Sequence, residues 1–202
     1  MSDTTPKRDD LGNRMKSYYE QIPKTKLMRR CPVICRLDGR SFHSFTKGFK
    51  RPFDDVLIQT MQQTAKYLCE NIQGAVIAYT QSDEISLVLI DYQSLEASAW
   101  FDYEVQKMCS IAAGMATLAF NRFFGTNYRE WREANLPDSG GGADTKSDEA
   151  VMNLEKAYSR ALVMGAVFDA RVCNIPKEEV ANCIFWRQLD ASRNSVQMVG
   201  QT

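Results

Sequence analysis

The chain has 202 residues, 44% hydrophobic and 25% charged, ordinary values for a globular protein with one sizeable core. Its 25 Lys and Arg balance 25 Asp and Glu, and a formal net charge of zero argues against a general polyanion binder. A single histidine and six cysteines with no C-x-x-C pair argue against a Cys/His zinc site, and no stretch approaches the ~20 apolar residues of a membrane-spanning helix.

Residues 1–10 are polar, expected to fray, and lack the apolar run of a signal peptide. Residues 11–22 read as a helix closed by Pro23, followed by a basic cluster of Lys24, Lys26, Arg29 and Arg30. Residues 32–37 (PVICRL) read as a strand bounded by Asp38-Gly39. A loop with Gly48 and Pro52 carries a second basic cluster, Lys47, Lys50 and Arg51. Leu57, Met61, Ala65, Leu68 and Ile72 then recur at helical spacing, with Gly74 where a helix C-cap belongs. Residues 75–80 (AVIAYT) and 85–92 (ISLVLIDY) form an antiparallel hairpin across the short linker Gln81-Ser82-Asp83-Glu84.

Residues 99–123 make the longest helical stretch, apolar enough to expect deep burial; a third basic cluster, Arg129 and Arg132, lies beyond it. Residues 135–149 (NLPDSGGGADTKSDE) read as a mobile glycine-rich loop. The last strand is expected at 162–168, and Pro176 opens a C-terminal helix with Lys177, Glu178 and Glu179 in its first turn. Cysteines 31, 35, 69, 109, 173 and 183 lie mostly in apolar stretches and read as small buried hydrophobes, which suits a reducing cytoplasm. The order β-α-β-β-α-β is the α+β, ferredoxin-like pattern of polymerase palms, nucleotide cyclases and RNA-binding modules; it implies a single domain over residues 1–202.

That topology brings acids together. The first and third strands are central neighbours running in opposite directions, so the end of the first lies beside the start of the third. Asp38 therefore meets Asp83 and Glu84 at one edge of the sheet. Clustered carboxylates repel and call for a cation; magnesium is the usual one when the substrate is a nucleoside triphosphate. Two such ions can stabilise the attacking and leaving oxygens of an in-line displacement. Gly39 lets the backbone approach a ligand closely, and its carbonyl is a further oxygen donor. Turn chemistry alone also accounts for Asp38-Gly39 and Ser82-Asp83-Glu84.

The segment from Arg36 to Phe45 (RLDGRSFHSF) is similar to the signature of the tRNA-His guanylyltransferase family, and 79–84 (YTQSDE) to its second signature. Phe168-Asp169-Ala170-Arg171 and Trp186-Arg187-Gln188 correspond to later family blocks. The resemblance, from about residue 11 to the C-terminus, implies a palm-like fold and nucleotide addition in the 3′-to-5′ direction. It implies that Asp38, Asp83 and Glu84 are the catalytic acids, with two Mg2+ ions on Asp38, the Gly39 carbonyl and Asp83 and with Glu84 supporting the site. Arg36, Gly39, Arg40, Ser41, Phe42, His43 and Ser82 would bind the nucleotide, backbone amides reaching the phosphates. Core packing is the competing role for Phe42 and Phe45. Arg171 and Arg187 would contact tRNA or phosphate. The family's lysine before the loop proline falls at Arg51, with Lys50 preceding it, and either could take its role.

Members that add guanosine to tRNA-His carry His-Ile-Asn-Asn where this chain has Ser192, Arg193, Asn194 and Ser195. Only Asn194 survives, as a nucleotide contact or a water-facing asparagine. The pattern resembles the bacterial and archaeal branch, which repairs tRNA with an incomplete 5′ end in a template-directed reaction after activation by ATP or GTP. The resemblance further implies a homotetramer, and a chain that ends short of the usual C-terminal region. Two rivals share the topology. A diguanylate cyclase would carry Gly-Gly-Asp-Glu-Phe where Gln-Ser-Asp-Glu-Ile stands. An RNA-recognition module would need aromatics on a third strand that is almost wholly aliphatic.

Overall fold

A computed structural model describes residues 9–136 and 145–199. In chain order these form α1 (Asp10–Met15), a π-helical turn (Lys16–Glu20), β1 (Val33–Gly39), α2 (Phe42–Phe45) and α3 (Asp55–Asn71). Next come β2 (Ala75–Gln81), β3 (Glu84–Leu89), a 3-10 turn (Trp100–Tyr103) and α4 (Val105–Asn135). The order closes with α5 (Thr145–Met164), β4 (Phe168–Asn174), a second 3-10 turn (Lys177–Glu179) and α6 (Val180–Val199). The sheet is antiparallel throughout, in the order β2-β3-β1-β4. The ferredoxin-like, palm-type arrangement expected from the sequence is present.

Alternation sorts the strands into two faces. Val33, Cys35 and Leu37 of β1, Ile85, Leu87 and Leu89 of β3, and Phe168 of β4 pack against α3 and α4 in one core. The opposite face carries Ile34, Arg36 and Asp38, with Glu84, Ser86 and Val88 in register beside them. α6 lies over this second face and packs against β2.

Three expected elements shift. The strand placed at 162–168 is instead the end of α5, whose Ala157, Tyr158 and Ala161 are buried at helical spacing. Gly165, at φ +68°, donates to the Ala161 carbonyl and ends the helix, so β4 begins only at Phe168. The helix expected at 99–123 starts at Val105, because Phe101, Asp102 and Tyr103 form a left-handed turn with φ of 51–55° that no α-helix can include. It runs on to Asn135, burying one stripe through Met108, Ala112, Ala116, Phe120 and Phe124 while Ile111 and Leu118 stay exposed. The glycine-rich loop narrows accordingly: its ends are helical, and residues 137–144 lie outside the described residues, as do residues 1–8. Of the cysteines only Cys35 is buried, its thiol pushed up to about 12 by desolvation; Cys173 is exposed and the other four are half-buried.

The first basic cluster is spent on structure. Arg29 Nε donates to the buried Asp91 at 2.6 Å, which also accepts from the Arg30 amide at 2.8 Å. Lys26 and Arg29 both pair with Asp102, pinning the left-handed turn.

The loop of the second cluster is held from beneath. Asp54 is 4% exposed and accepts from the Leu57 amide (3.0 Å), the Lys50 amide (3.0 Å) and the Tyr158 hydroxyl (2.7 Å). Arg160 of α5 donates to the carbonyls of Phe45 (2.9 Å) and Lys47 (2.7 Å). Replacing Asp54 removes a helix cap and orphans the buried Tyr158 hydroxyl and the part-buried Lys50 amide. Asp54→Ala should therefore cost about 2–4 kcal/mol, read as a lower urea midpoint at unchanged m-value.

Candidate active site

Antiparallel register builds the site. Asp38 on β1 stands opposite Glu84 on β3 and Asp169 on β4, which puts three carboxylates in one row across adjacent strands. The next row on the same face is Ser86, Arg36 and Arg171. Asp83 sits in the tight β2–β3 turn after Ser82, whose φ of +49° is the left-handed geometry such turns use. The Asp83 carbonyl accepts from the Gly39 amide at 3.0 Å, which ties the hairpin turn to the end of β1. The junction expected between the two acidic motifs is thus present in the backbone.

The carboxylates are treated unequally. Burial raises the Asp83 pKa, its own backbone and Ser82 oppose the rise, and the neighbouring charge of Asp38 adds to it. Glu84 is claimed by arginines. Its Oε1 lies 2.9 Å from Arg187 Nε, without the alignment of a true hydrogen bond, and its Oε2 lies 3.9 Å from Arg36 Nε. Arg187 is 7% exposed, pairs also with Asp190 at 2.5 Å, and stacks its guanidinium over Trp186 at 4.2 Å. Geometry therefore makes Arg187, which the family resemblance offers as a tRNA or phosphate contact, a buried brace on Glu84. Arg171 is half-exposed, bonded to Asp169 (3.1 Å) and 3.8 Å from Asp38.

Beyond β1 the chain turns sharply. Gly39 is required here by packing: a Cβ would meet the Phe42 ring at 2.3 Å. Phe42 is itself buried against Phe45, Phe120 and Phe168, so its side chain belongs to the core and only its backbone is left for a ligand. The Arg40 amide is taken by the Val167 carbonyl at 2.8 Å. Asn121 fixes that segment with two bonds to the Ala166 backbone, both 2.8 Å. Ser41 has a left-handed φ of +55° and opens α2, in whose first turn Phe42 and His43 have no preceding helical carbonyl. The side chains of Arg40, Ser41 and His43 are exposed.

Lys50 lies 3.7 Å from Asp55, whereas Arg51 makes no ion pair with any described residue. Asn194 is exposed on α6. Asp169 is the site carboxylate that sequence reading missed; its signal is the alternation of Asp169, Arg171 and Cys173 on one face of β4.

Among the described residues no three His, Cys, Asp or Glu side chains are grouped so as to hold a metal ion. The donor set still fits magnesium, which takes one or two carboxylates and completes its shell with water and phosphate oxygens. The raised pKa of Asp83 beside Asp38 is what a cation would relieve.

The model of the family described as tRNAHis guanylyltransferase matches residues 12–176. A bacterial tRNA(His) guanylyltransferase-like protein solved in complex with GTP is 39% identical, covering 96% of this chain and 76% of that one at a TM-score of 0.73. One solved with ATP is also 39% identical, covering 96% and 70% at a TM-score of 0.72. The probable tRNA(His) guanylyltransferase of Mus musculus is 27% identical over 90% of this chain and 52% of its own length. The chain spans little more than half the length of the first curated relatives it matches.

An acid whose pKa is raised by folding binds its proton more readily in the folded state, so its ionised form opposes folding above that pKa. Asp83→Asn should raise the melting temperature at pH 7, measured without divalent ions. Screening at this half-buried site limits the gain to about 1–2 °C. The gain should shrink as pH falls and wild-type Asp83 takes up its proton.

Proposed function

The chain belongs to the tRNAHis guanylyltransferase family, and from that premise we propose that it extends the 5′ end of tRNA in the 3′-to-5′ direction, copying the opposite strand of the acceptor stem. The observation that carries the reading is the register that sets Asp38 beside Glu84 and ties the Asp83 turn to Gly39. Asp38, Asp83 and the Gly39 carbonyl would hold two Mg2+ ions, which when bound neutralise phosphate charge and acidify the attacking hydroxyl.

The substrate is a tRNA lacking its first nucleotides. Its 5′-monophosphate oxygen attacks the α-phosphorus of ATP or GTP and releases pyrophosphate. The 3′ hydroxyl of an incoming nucleoside triphosphate then attacks the activated 5′ phosphorus and expels AMP or GMP. A tRNA carrying a 5′-triphosphate needs no activation and loses pyrophosphate instead. Complexes of similar bacterial proteins with GTP and with ATP support both nucleotides as ligands.

The chain's own groups bind and orient. Arg51, without an ion-pair partner among the described residues, takes the role of the family lysine and grips the triphosphate, while Lys50 is shared with Asp55. Exposed Arg40, Ser41 and His43 lie along the phosphates, joined by the amides that open α2. Glu84 keeps Arg36 and Arg187 in place and contacts no reacting atom. Asn194 reaches the nucleotide from α6. Among the described residues no helix is long and apolar enough to cross a membrane; we place the reaction in the cytoplasm, in a homotetramer. The exposed Leu11, Tyr18, Tyr19 and Ile22 near the N-terminus supply apolar surface for assembly.

Incubation with labelled GTP or ATP, Mg2+ and a 5′-truncated tRNA should place label in the RNA; a labelled cyclic nucleotide instead would sink the proposal. Asp38→Ala and Asp83→Ala should each lower turnover by about 10³-fold or more while tRNA binding in a filter assay stays within roughly twofold. Arg51→Ala should raise the apparent KM for nucleoside triphosphate by about 10-fold, and Lys50→Ala by far less, in steady-state assays.

A further inference from the structure

Two guanidinium–carboxylate pairs on the acidic row differ in kind. Arg187 and Glu84 are 8% and 12% exposed in their side chains, a pair with no room to part. Arg171, Asp38 and Asp169 are 54%, 41% and 61% exposed. One nitrogen, Arg171 Nη2, serves both acids of the second group: it hydrogen-bonds Asp169 at 3.1 Å and stands 3.8 Å from Asp38. Exposed pairs of this kind hold each other by about 0–1 kcal/mol, so exchange between them is cheap.

We propose that Arg171 is an exchangeable counter-ion for Asp38, and that Asp169 is the positioning residue that alone keeps its guanidinium when a divalent cation arrives. This rests on the reading of Asp38 and Asp83 as the cation's ligands. Without the cation, Arg171 offsets the charge of Asp38 within the row of three carboxylates. A cation at Asp38 repels the guanidinium, which keeps its hydrogen bond to Asp169. Asp169 is well placed for this, because it lies in register beside Asp38 and two residues from Arg171 on the same face of β4. The other charges facing Arg171 are too far or too occupied to take it: Glu84 is held by Arg187 and Arg36, and Arg36 is a like charge in the neighbouring register position. The positive charge therefore stays at the site's edge, where phosphate groups of nucleotide or tRNA arrive.

Mn2+ titration without nucleotide, followed by the EPR signal of the free ion, tests this on the whole chain. Arg171→Ala should bind Mn2+ about three- to tenfold more tightly, because one positive charge near the ion is gone. Asp169→Asn should weaken binding by a similar factor, since Arg171 then rests on Asp38 alone. In the Arg171→Ala background, Asp169→Asn should change affinity by less than about twofold, the non-additivity of residues that act through one another. Additive effects of the two substitutions would overturn the exchange, as would unchanged or weaker Mn2+ binding in Arg171→Ala. Asp83→Asn separates the two readings. Mn2+ binding that Asp83→Asn abolishes, with no response to Arg171→Ala, overturns the exchange alone. Mn2+ binding indifferent to Asp83→Asn overturns the ligand assignment and the exchange together. The substitutions at the exposed Arg171 and Asp169 should leave the far-UV spectrum unchanged.

Discussion

Three carboxylates in register across β3, β1 and β4 repel one another, and much of the surrounding structure answers that repulsion. Antiparallel pairing fixes Glu84, Asp38 and Asp169 side by side, since a slip of one residue would turn the whole face inward. The next row inward, with Arg36 and Arg171, sets positive charge directly behind the acids. α6 adds a third guanidinium from above. Asp83, outside the row in a turn, makes no ion pair among the described residues; burial first, then the charge of Asp38, raises its pKa. The charge left uncompensated sits where a cation and a triphosphate would enter.

Around this row, polar residues far from the acids set the backbone, the buried Asp54 among them. Asn121 in α4 clamps the Ala166 backbone; the next residue, Val167, takes the Arg40 amide, so a helix on the opposite face of the sheet determines how the chain leaves β1. Asp54 and Arg160 do the same for the loop that presents Lys50 and Arg51. The Phe42 ring wedged against Gly39 makes the sharp exit a matter of core packing as much as of ligand access. The exposed side chains of Arg40, Ser41, His43 and Arg51 are thus aimed by backbone contacts made elsewhere in the fold.

The sheet order and the meeting of Asp38 with the Asp83 turn were legible in the sequence because strand topology leaves few alternatives for two short acidic motifs at strand ends. Helix α3 was legible from its spacing alone. β4 was misplaced because residues 162–168 form an uninterrupted apolar run, while the true strand alternates with Asp169, Arg171 and Cys173 on its open face. That error hid Asp169, which sits in register only once the strand is moved. The use of Lys26, Arg29 and Arg30 as internal struts was hidden too, since their acceptors lie more than sixty residues away. The pairing of Arg187 with Glu84 was not legible, because the family resemblance names the residue and only the docking of α6 shows what it touches.

Glu84 belongs to the segment matched by the family model, residues 12–176, yet its closest counter-charge, Arg187, lies beyond that segment on α6. The site is thus divided between the sheet and α6, which is joined to it through this pair. A change in the pitch, length or sequence of α6 alters the field at Glu84 without touching any residue of the sheet.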